Sequence, residues 1–461
     1  MKIPTLTTAA ATSDGLRRAL GPWQSAAMVA GTLIGTGIFF VAHDMLLAVH
    51  TLGWILLAWV LGGFLSLAGA LAYAELGTLR PAAGGEYVYL RDGLGGGVGF
   101  LFGWGMFWLI RPASVATIGA GFALAARYLW PGLAQPLLAG WGSAFTGEHV
   151  LGAAMIALVT AINYFGVRYG GQLQAAFTAL KVALLVALTL AALLWGHGDW
   201  AHFSQSLAVP GGAVVGWGGF ATALVAALWA FDGWNDLTLA GSEIRDPART
   251  IPRAMIGGVA LVFVVYASIN LAYFYVLKPA EIAANNNVAS AMAARLLGPQ
   301  AGLWVAAAVM ISSFATLNSS ILSGARVPFA MARDGVFFRS LAHVQPRFHT
   351  PDTALAVQAV FAMALSLTGT FQTLYTLTIF AEWLFYALAI VALFAFRRRG
   401  ERAPFSASGY PVLPAVFLLL AAALLALTFS QNVGDSSLGL AVILAGIPAY
   451  YGFRRRLKPA R

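Results

Sequence analysis

Five polar side chains stand inside long apolar runs of this sequence: Arg111, Lys181, Asp232, Asn235 and Glu382. A charge at the centre of a membrane helix costs roughly 3 kcal/mol on insertion scales, so such groups face partners, cavities or substrates rather than lipid. Lys181, in QAAFTALKVALLVALTL, can pair acceptors inside a bundle and offers a proton-coupling route. The competing reading is a lysine that snorkels to the headgroups from its span end. Asp232 lies in FDGWN, where a carboxylate can pair a cationic substrate, carry a proton, or cap the helix that follows. Arg111-Pro112 reads as structural, pairing backbone or a carboxylate and bending its helix. Glu75 and Glu382 are candidate partners for buried donors.

Other chemistry is poorly served. The seven histidines (His43, His50, His149, His197, His202, His343, His349) fall mostly at span ends or in loops, and no HExxH pair occurs. Cysteine is absent, which removes disulfides, thiolate metal sites and a catalytic thiol. No Walker A sequence is present. Neither metal nor cofactor is expected, and an enzyme is not the reading that these residues favour. A channel fits less well than a transporter, because nothing resembles a repeated selectivity filter.

The elements that must carry these residues are membrane helices. The chain has 461 residues, of which 60% are hydrophobic and 10% charged, too few charges to cover a soluble surface. Twelve apolar segments are expected, at about 22–48, 52–78, 98–128, 149–167, 172–195, 216–241, 254–277, 301–325, 352–369, 371–396, 411–430 and 438–453. The alternation of barrel strands is missing, so the expected fold is an all-α polytopic membrane protein. The net charge of +10 does not point to nucleic acid, because its carriers sit in short loops between spans. Placing the N-terminus inside puts 22 Lys and Arg on the cytoplasmic side and three, Arg127, Lys278 and Arg295, outside. Both termini are therefore expected in the cytoplasm, with no cleavable signal before Arg17 and Arg18.

Two of these spans carry helix-breaking chemistry at mid-depth. Span 1 contains GTLIGTGIFF, with Gly31, Gly35 and Gly37, and span 6 contains Phe231-Asp232-Gly233-Trp234-Asn235. They open two successive five-span sets, and such a pair is the sequence pointer to an inverted-repeat transporter. An unwound turn bares N–H groups suited to a carboxylate and C=O groups suited to an ammonium, the two charges of an amino acid. For span 1 alone, close helix packing is a competing explanation of the glycines, and span 6 is what weakens it.

GTLIGTGIFF resembles the first-helix signature of the amino acid–polyamine–organocation transporter superfamily. WAFDGWNDLTLAGSEIRDPARTIPRAM is similar to the sixth-helix signature of its L-type amino acid transporter branch. WLIRPASVATI, LNSSILSGARVPFAMARDG and FAEWLFYALAIVALFAFRRR fit in the same order. The resemblance implies twelve transmembrane helices in a five-plus-five inverted repeat, the LeuT fold, with helices 1 and 6 broken. The corresponding divisions are a tail at 1–21, repeats at 22–195 and 196–396, helices 11 and 12 at 397–453, and a tail at 454–461.

It further implies that a substrate carboxylate meets the amides of Thr36, Gly37 and Ile38. The amino group would meet carbonyls of Ile34, Ala230 and Phe231, with the Phe231 ring closing over it and Asn235 tuning the side-chain pocket. Lys181 would replace a bound sodium ion, with partners near Gly35 and at Ser319 or Ser320. Asp232 departs from the small residue usual in animal relatives and is a possible proton or charge site. Animal members join a heavy chain through a cysteine in the loop at 129–148; without it this chain is expected to work alone, in a bacterial inner membrane. The expected activity is sodium-independent transport of neutral amino acids, by exchange or proton symport. A cationic amino acid or polyamine, paired by Asp232, is the alternative.

Overall fold

The computed structural model describes residues 18, 20–137, 145–165, 170–194, 198–207, 216–346 and 350–457. Arg17, Arg168, His197 and His349 lie outside the described residues. Twenty α-helices run through them. Nine helical stretches among the described residues are long and apolar enough to cross a membrane, from Pro22–Val49 to Val433–Arg454.

The first such stretch is two helices, α1 (Pro22–Leu33) and α2 (Gly37–Val49), and α3 is Leu52–Leu79. A short α4 (Glu86–Leu94) leads into α5 (Gly96–Gly105), which passes through a π-helical turn at Met106–Ile110 into α6 (Arg111–Leu129). Pro112 has no N–H to offer the carbonyl four residues back, so the change of register before Arg111 falls where hydrogen bonding is already weakened. α7 is Gly147–Tyr164 and α8 is Gly170–Leu194.

The second half begins with α9 (Trp217–Ala230) and the single turn α10 (Asp236–Leu239), followed by α11 (Pro247–Val276). Then come α12 (Pro279–Ala283), α13 (Val288–Leu297), α14 (Pro299–Gly324) and α15 (Arg326–Arg333). α16 is Asp352–Thr368 and α17 is Phe371–Arg398; α18 (Val412–Gln431), α19 (Val433–Leu444) and α20 (Gly446–Leu457) close the chain. The expected last span, 438–453, is therefore a pair of helices meeting at Ala445 and beginning at Val433. α4 and α13 were not expected, since nine or ten residues cannot cross a bilayer and give no span signal.

Packing relates the two halves pairwise. α3 lies on α11, α6 on α14 and α7 on α16; α1 packs on α11 and α8, as α9 packs on α3 and α17. α2 and α9, one from each broken helix, meet at the centre. There a Cβ on Gly37 would stand 2.7 Å from Ala230 Cα, so only glycine permits this approach.

Arginine-rich turns gather at one end of the bundle. Arg397 forks onto Glu75, with 2.7 and 2.6 Å bonds, and the Ala407 amide also donates to Glu75. Arg326 holds Glu243 at 2.9 Å, and Leu20 pairs with the chain at Glu243–Arg245 through two backbone bonds. Arg80 reaches Asp92 and Glu401. Burial works against the charge of Arg91 on α4, but Asp92 and Asp334 outweigh it and hold the guanidinium above its ordinary range. At the opposite end a vestibule of about 320 Å³ is lined by His43, Asp44, Arg127 and Glu148.

Candidate functional site

Both breaks fall where the sequence places them. α1 stops after Leu33: Ile34 takes φ −76°, ψ 72°, an inverse γ-turn closed by the Gly35 amide on the Leu33 carbonyl at 2.7 Å. α2 restarts at Gly37, so the amides of Gly37 and Ile38, first in their helix, have no partner within it. In the second half α9 ends at Ala230, and Gly233 turns the chain with φ +98°, against Thr32 of α1.

The ends of α1 and α9 also leave carbonyls without a helical partner. One hydroxyl serves both helices: Tyr266 of α11 lies 2.7 Å from the Leu33 carbonyl and 3.1 Å from that of Ala230. Lys181 serves a third. Its ammonium, 3% exposed, donates to the Gly31 carbonyl at 3.1 Å and to Thr316 Oγ1 at 2.6 Å. A cation at a helix C-terminus also complements the helix dipole. Lys181 is thus an interior tie between α8, α1 and α14, and it does not snorkel.

Its partners differ from those expected. Thr316, not Ser319 or Ser320, supplies the hydroxyl, and the carbonyl is Gly31 rather than one beside Gly35. Residues four apart share a helix face, so Thr316 and Ser320 are successive turns of one stripe, and the lysine reaches the earlier one.

Between the breaks lies a cavity of about 20 Å³, little more than room for one water. Gly35, Thr36 and Gly37 line it from the first break; Asp232 and Gly233 line it from the second, with Thr316 and Ser320 from α14. Arg111 and Asp236 complete the wall. Their ion pair is 2.7 Å, both side chains are buried, and Ser323 of α14 donates to the other Asp236 oxygen at 3.0 Å. The carboxylate partner expected for Arg111 is therefore Asp236, the residue after Asn235.

Asp232 does not cap α10. Its carboxylate accepts the Tyr386 hydroxyl at 3.0 Å, and Glu382 stands one turn earlier than Tyr386 on α17. Glu75 finds its donor in Arg397, well away from this cavity.

Ile34, Ile38, Ala230, Phe231 and Asn235 do not line the cavity. The Phe231 ring packs edge-on to Trp59 and against Tyr266, because the turn after α9 points it toward α3 and α11. Trp229, two residues earlier, is the aromatic that borders the cavity. Asn235 donates to Glu86 of α4 at 3.3 Å. Tyr266, Trp229, Asp236, Thr316 and Glu86 were not singled out from sequence. Asp236 carried a signal, a second carboxylate in the same span; a tyrosine or threonine in mid-span carries none. Among the described histidines, His43 bonds the Ile282 carbonyl and His202 that of Tyr275. Among the described residues no group of three or more His, Asp or Glu side chains is arranged to hold a metal.

An apolar all-helical bundle with paired helix breaks around one small polar cavity is the architecture of a membrane transport protein. Comparison with known proteins makes the class specific. The model of the family described as amino acid permease matches residues 20–449. The chain is 33% identical over 448 residues to the serine/threonine exchanger SteT of Bacillus subtilis (strain 168), covering 96% of this chain and 98% of that one. It is 32% identical over 386 residues to the b(0,+)-type amino acid transporter 1 of Oryctolagus cuniculus, covering 84% and 77%. To the large neutral amino acids transporter small subunit 2 of Homo sapiens it is 30% identical over 443 residues, covering 95% and 80%. The chain belongs to the amino acid permease family, and within its superfamily it falls with the L-type amino acid transporters.

Proposed function

We propose that this protein carries neutral L-amino acids across the cytoplasmic membrane by alternating access, without sodium, as an exchanger or a proton symporter. The observation that carries the reading is the Lys181 ammonium on the Gly31 carbonyl and Thr316 hydroxyl, beside the cavity between the two breaks. A fixed cation there supplies the charge that a bound sodium ion would otherwise supply. Thr36 and Gly37 line the cavity as it stands; when it widens to admit substrate, the carboxylate meets their amides and that of Ile38, and the ammonium meets the carbonyl ends of Ile34, Ala230 and Phe231. The Tyr266 hydroxyl now on Ala230 yields part of its bond to the incoming ammonium. The similarity to a serine/threonine exchanger favours exchange.

The fold proposed is twelve transmembrane helices with a five-plus-five inverted repeat over 22–195 and 196–396. The matched packing of α3 with α11, α6 with α14 and α7 with α16 supports it. Helices of 397–453 stand outside the repeat. The Arg-rich end is cytoplasmic, by the excess of basic residues in its loops, and carries both tails. With no cysteine the chain works without a disulfide-linked heavy chain, in a bacterial inner membrane.

A second reading rests on Asp232, a carboxylate in the cavity wall: a cationic amino acid or a polyamine. Counterflow into proteoliposomes with labelled serine, alanine, leucine and arginine, with and without sodium, separates the two. Sodium-independent counterflow of the neutral substrates is expected. Counterflow of arginine alone, abolished by Asp232→Asn, establishes the second reading instead.

A further inference from the structure

Arg111 is the one guanidinium that reaches the central cavity among the described residues, and its charge is answered at once. Asp236 Oδ1 accepts from one terminal nitrogen at 2.7 Å, and Oδ2 lies 3.4 Å from the other. Ser323 pins Oδ2 from α14, so the carboxylate cannot swing away without losing a second bond. The residues are 4% and 1% exposed, far too buried for water to take over either role. Arg111 Nε has no partner, so the guanidinium keeps an unused donor.

A desolvated guanidinium facing a substrate cavity is a strong two-point receptor for a carboxylate. Without Asp236, Arg111 would take the side-chain carboxylate of an acidic amino acid. With Asp236 in place, an anionic side chain meets an occupied fork and a fixed like charge, and its desolvation goes uncompensated. We propose that Asp236 is a specificity-determining residue: it masks Arg111 and thereby excludes acidic amino acids from the cavity. This deepens the transport reading above and rests on it. Asp236 acts on selectivity through Arg111, so the role differs from that of a residue that merely holds α6 to α10.

Asparagine and aspartate differ in charge and hardly in shape, so their relative potency isolates this effect. In proteoliposomes performing neutral amino acid counterflow, unlabelled asparagine is expected to compete better than aspartate by about tenfold or more. Asp236→Asn is expected to invert that order in whatever counterflow or ligand-induced thermal stabilisation it retains. Asp236→Met combined with Arg111→Met, which removes both charges, is expected to restore the preference for asparagine. Equal potency of the two in the unaltered protein overturns the proposal, even if the Asp236→Asn variant fails to fold. An unchanged order in a folded Asp236→Asn protein overturns it as well. Absence of neutral amino acid counterflow in the unaltered protein would instead sink the transport reading on which it rests.

Discussion

The Lys181 ammonium stands 2.6 Å from Thr316 Oγ1, a bond between helices far apart in sequence that passes beside the first helix break. Hydrogen bonds to charged groups contribute about 1.5–3 kcal/mol, and an abandoned buried partner costs more. Lys181→Ala, which strands the Gly31 carbonyl and leaves the Thr316 hydroxyl only its bond to the Ser312 carbonyl, is expected to lower counterflow by about tenfold to a hundredfold. Thr316→Val removes one acceptor and is expected to cost less; Thr316→Ser keeps the hydroxyl and is expected to approach the unaltered rate. Full activity in Lys181→Ala would exclude the lysine from the mechanism.

Tyr266 ties the two breaks through the carbonyls of Leu33 and Ala230. Tyr266→Phe preserves the ring, which packs on Trp59 and Phe231, and deletes only the hydroxyl. A loss of about 1–3 kcal/mol in stability is expected from the Ala230 carbonyl, while that of Leu33 keeps its Gly35 bond, and it is read as a lower melting temperature in detergent. An unchanged melting temperature would mean that water replaces the hydroxyl without cost.

Glycines of the first two membrane spans do different jobs. A Cβ on Gly37 would meet the Ala230 backbone at 2.7 Å, whereas one on Gly53 of α3 has nothing within 4 Å. Gly37→Ala is expected to destabilise the fold or abolish counterflow. Gly53→Ala is expected to be neutral or to stabilise by about 0.5–1 kcal/mol, as alanine replaces glycine in a helix. Comparable effects at the two positions would contradict the close approach of α2 and α9.

Ion pairs tie the turns of the Arg-rich end together, and they are expected to hold it closed. Ser242 is buried beside the Glu243–Arg326 pair, and the chain has no cysteine of its own, so Ser242→Cys reports on that end alone. Adding Arg326→Gln is expected to speed its alkylation by a hydrophilic thiol reagent several-fold, because a broken ion pair opens the end more often. An unchanged rate would show that Glu75–Arg397 and Leu20 suffice to hold it shut.

Much of this was legible in the sequence, for physical reasons. Hydrocarbon demands long apolar helices, so the spans stand out in GTLIGTGIFF and its neighbours. Helix-breaking residues at mid-depth are costly, so Gly35 and Asp232-Gly233 mark the breaks. Lys181 was legible as a buried charge, but its partner was not: Ser320 and Thr316 differ by one helical turn, and only the packing of α14 on α8 selects between them. Phe231 and Trp229 were indistinguishable as aromatics near the second break, until the turn at Gly233 set the direction of each. Gly31 looked like part of the break, yet a Cβ there would press on Thr178 of α8, so it is a packing glycine.

The central claim is that the cavity between the breaks is where the amino acid binds. Ser114 lines that cavity from α6, and Ser114→Cys gives a single reactive group at the proposed site. The decisive measurement is the rate of its alkylation in sodium-free buffer, with and without a neutral amino acid that the same protein carries in counterflow. A several-fold slowing by the transported amino acid, with no further effect of sodium, is the expected result. Undiminished alkylation at concentrations that saturate counterflow would place the substrate elsewhere and contradict the account.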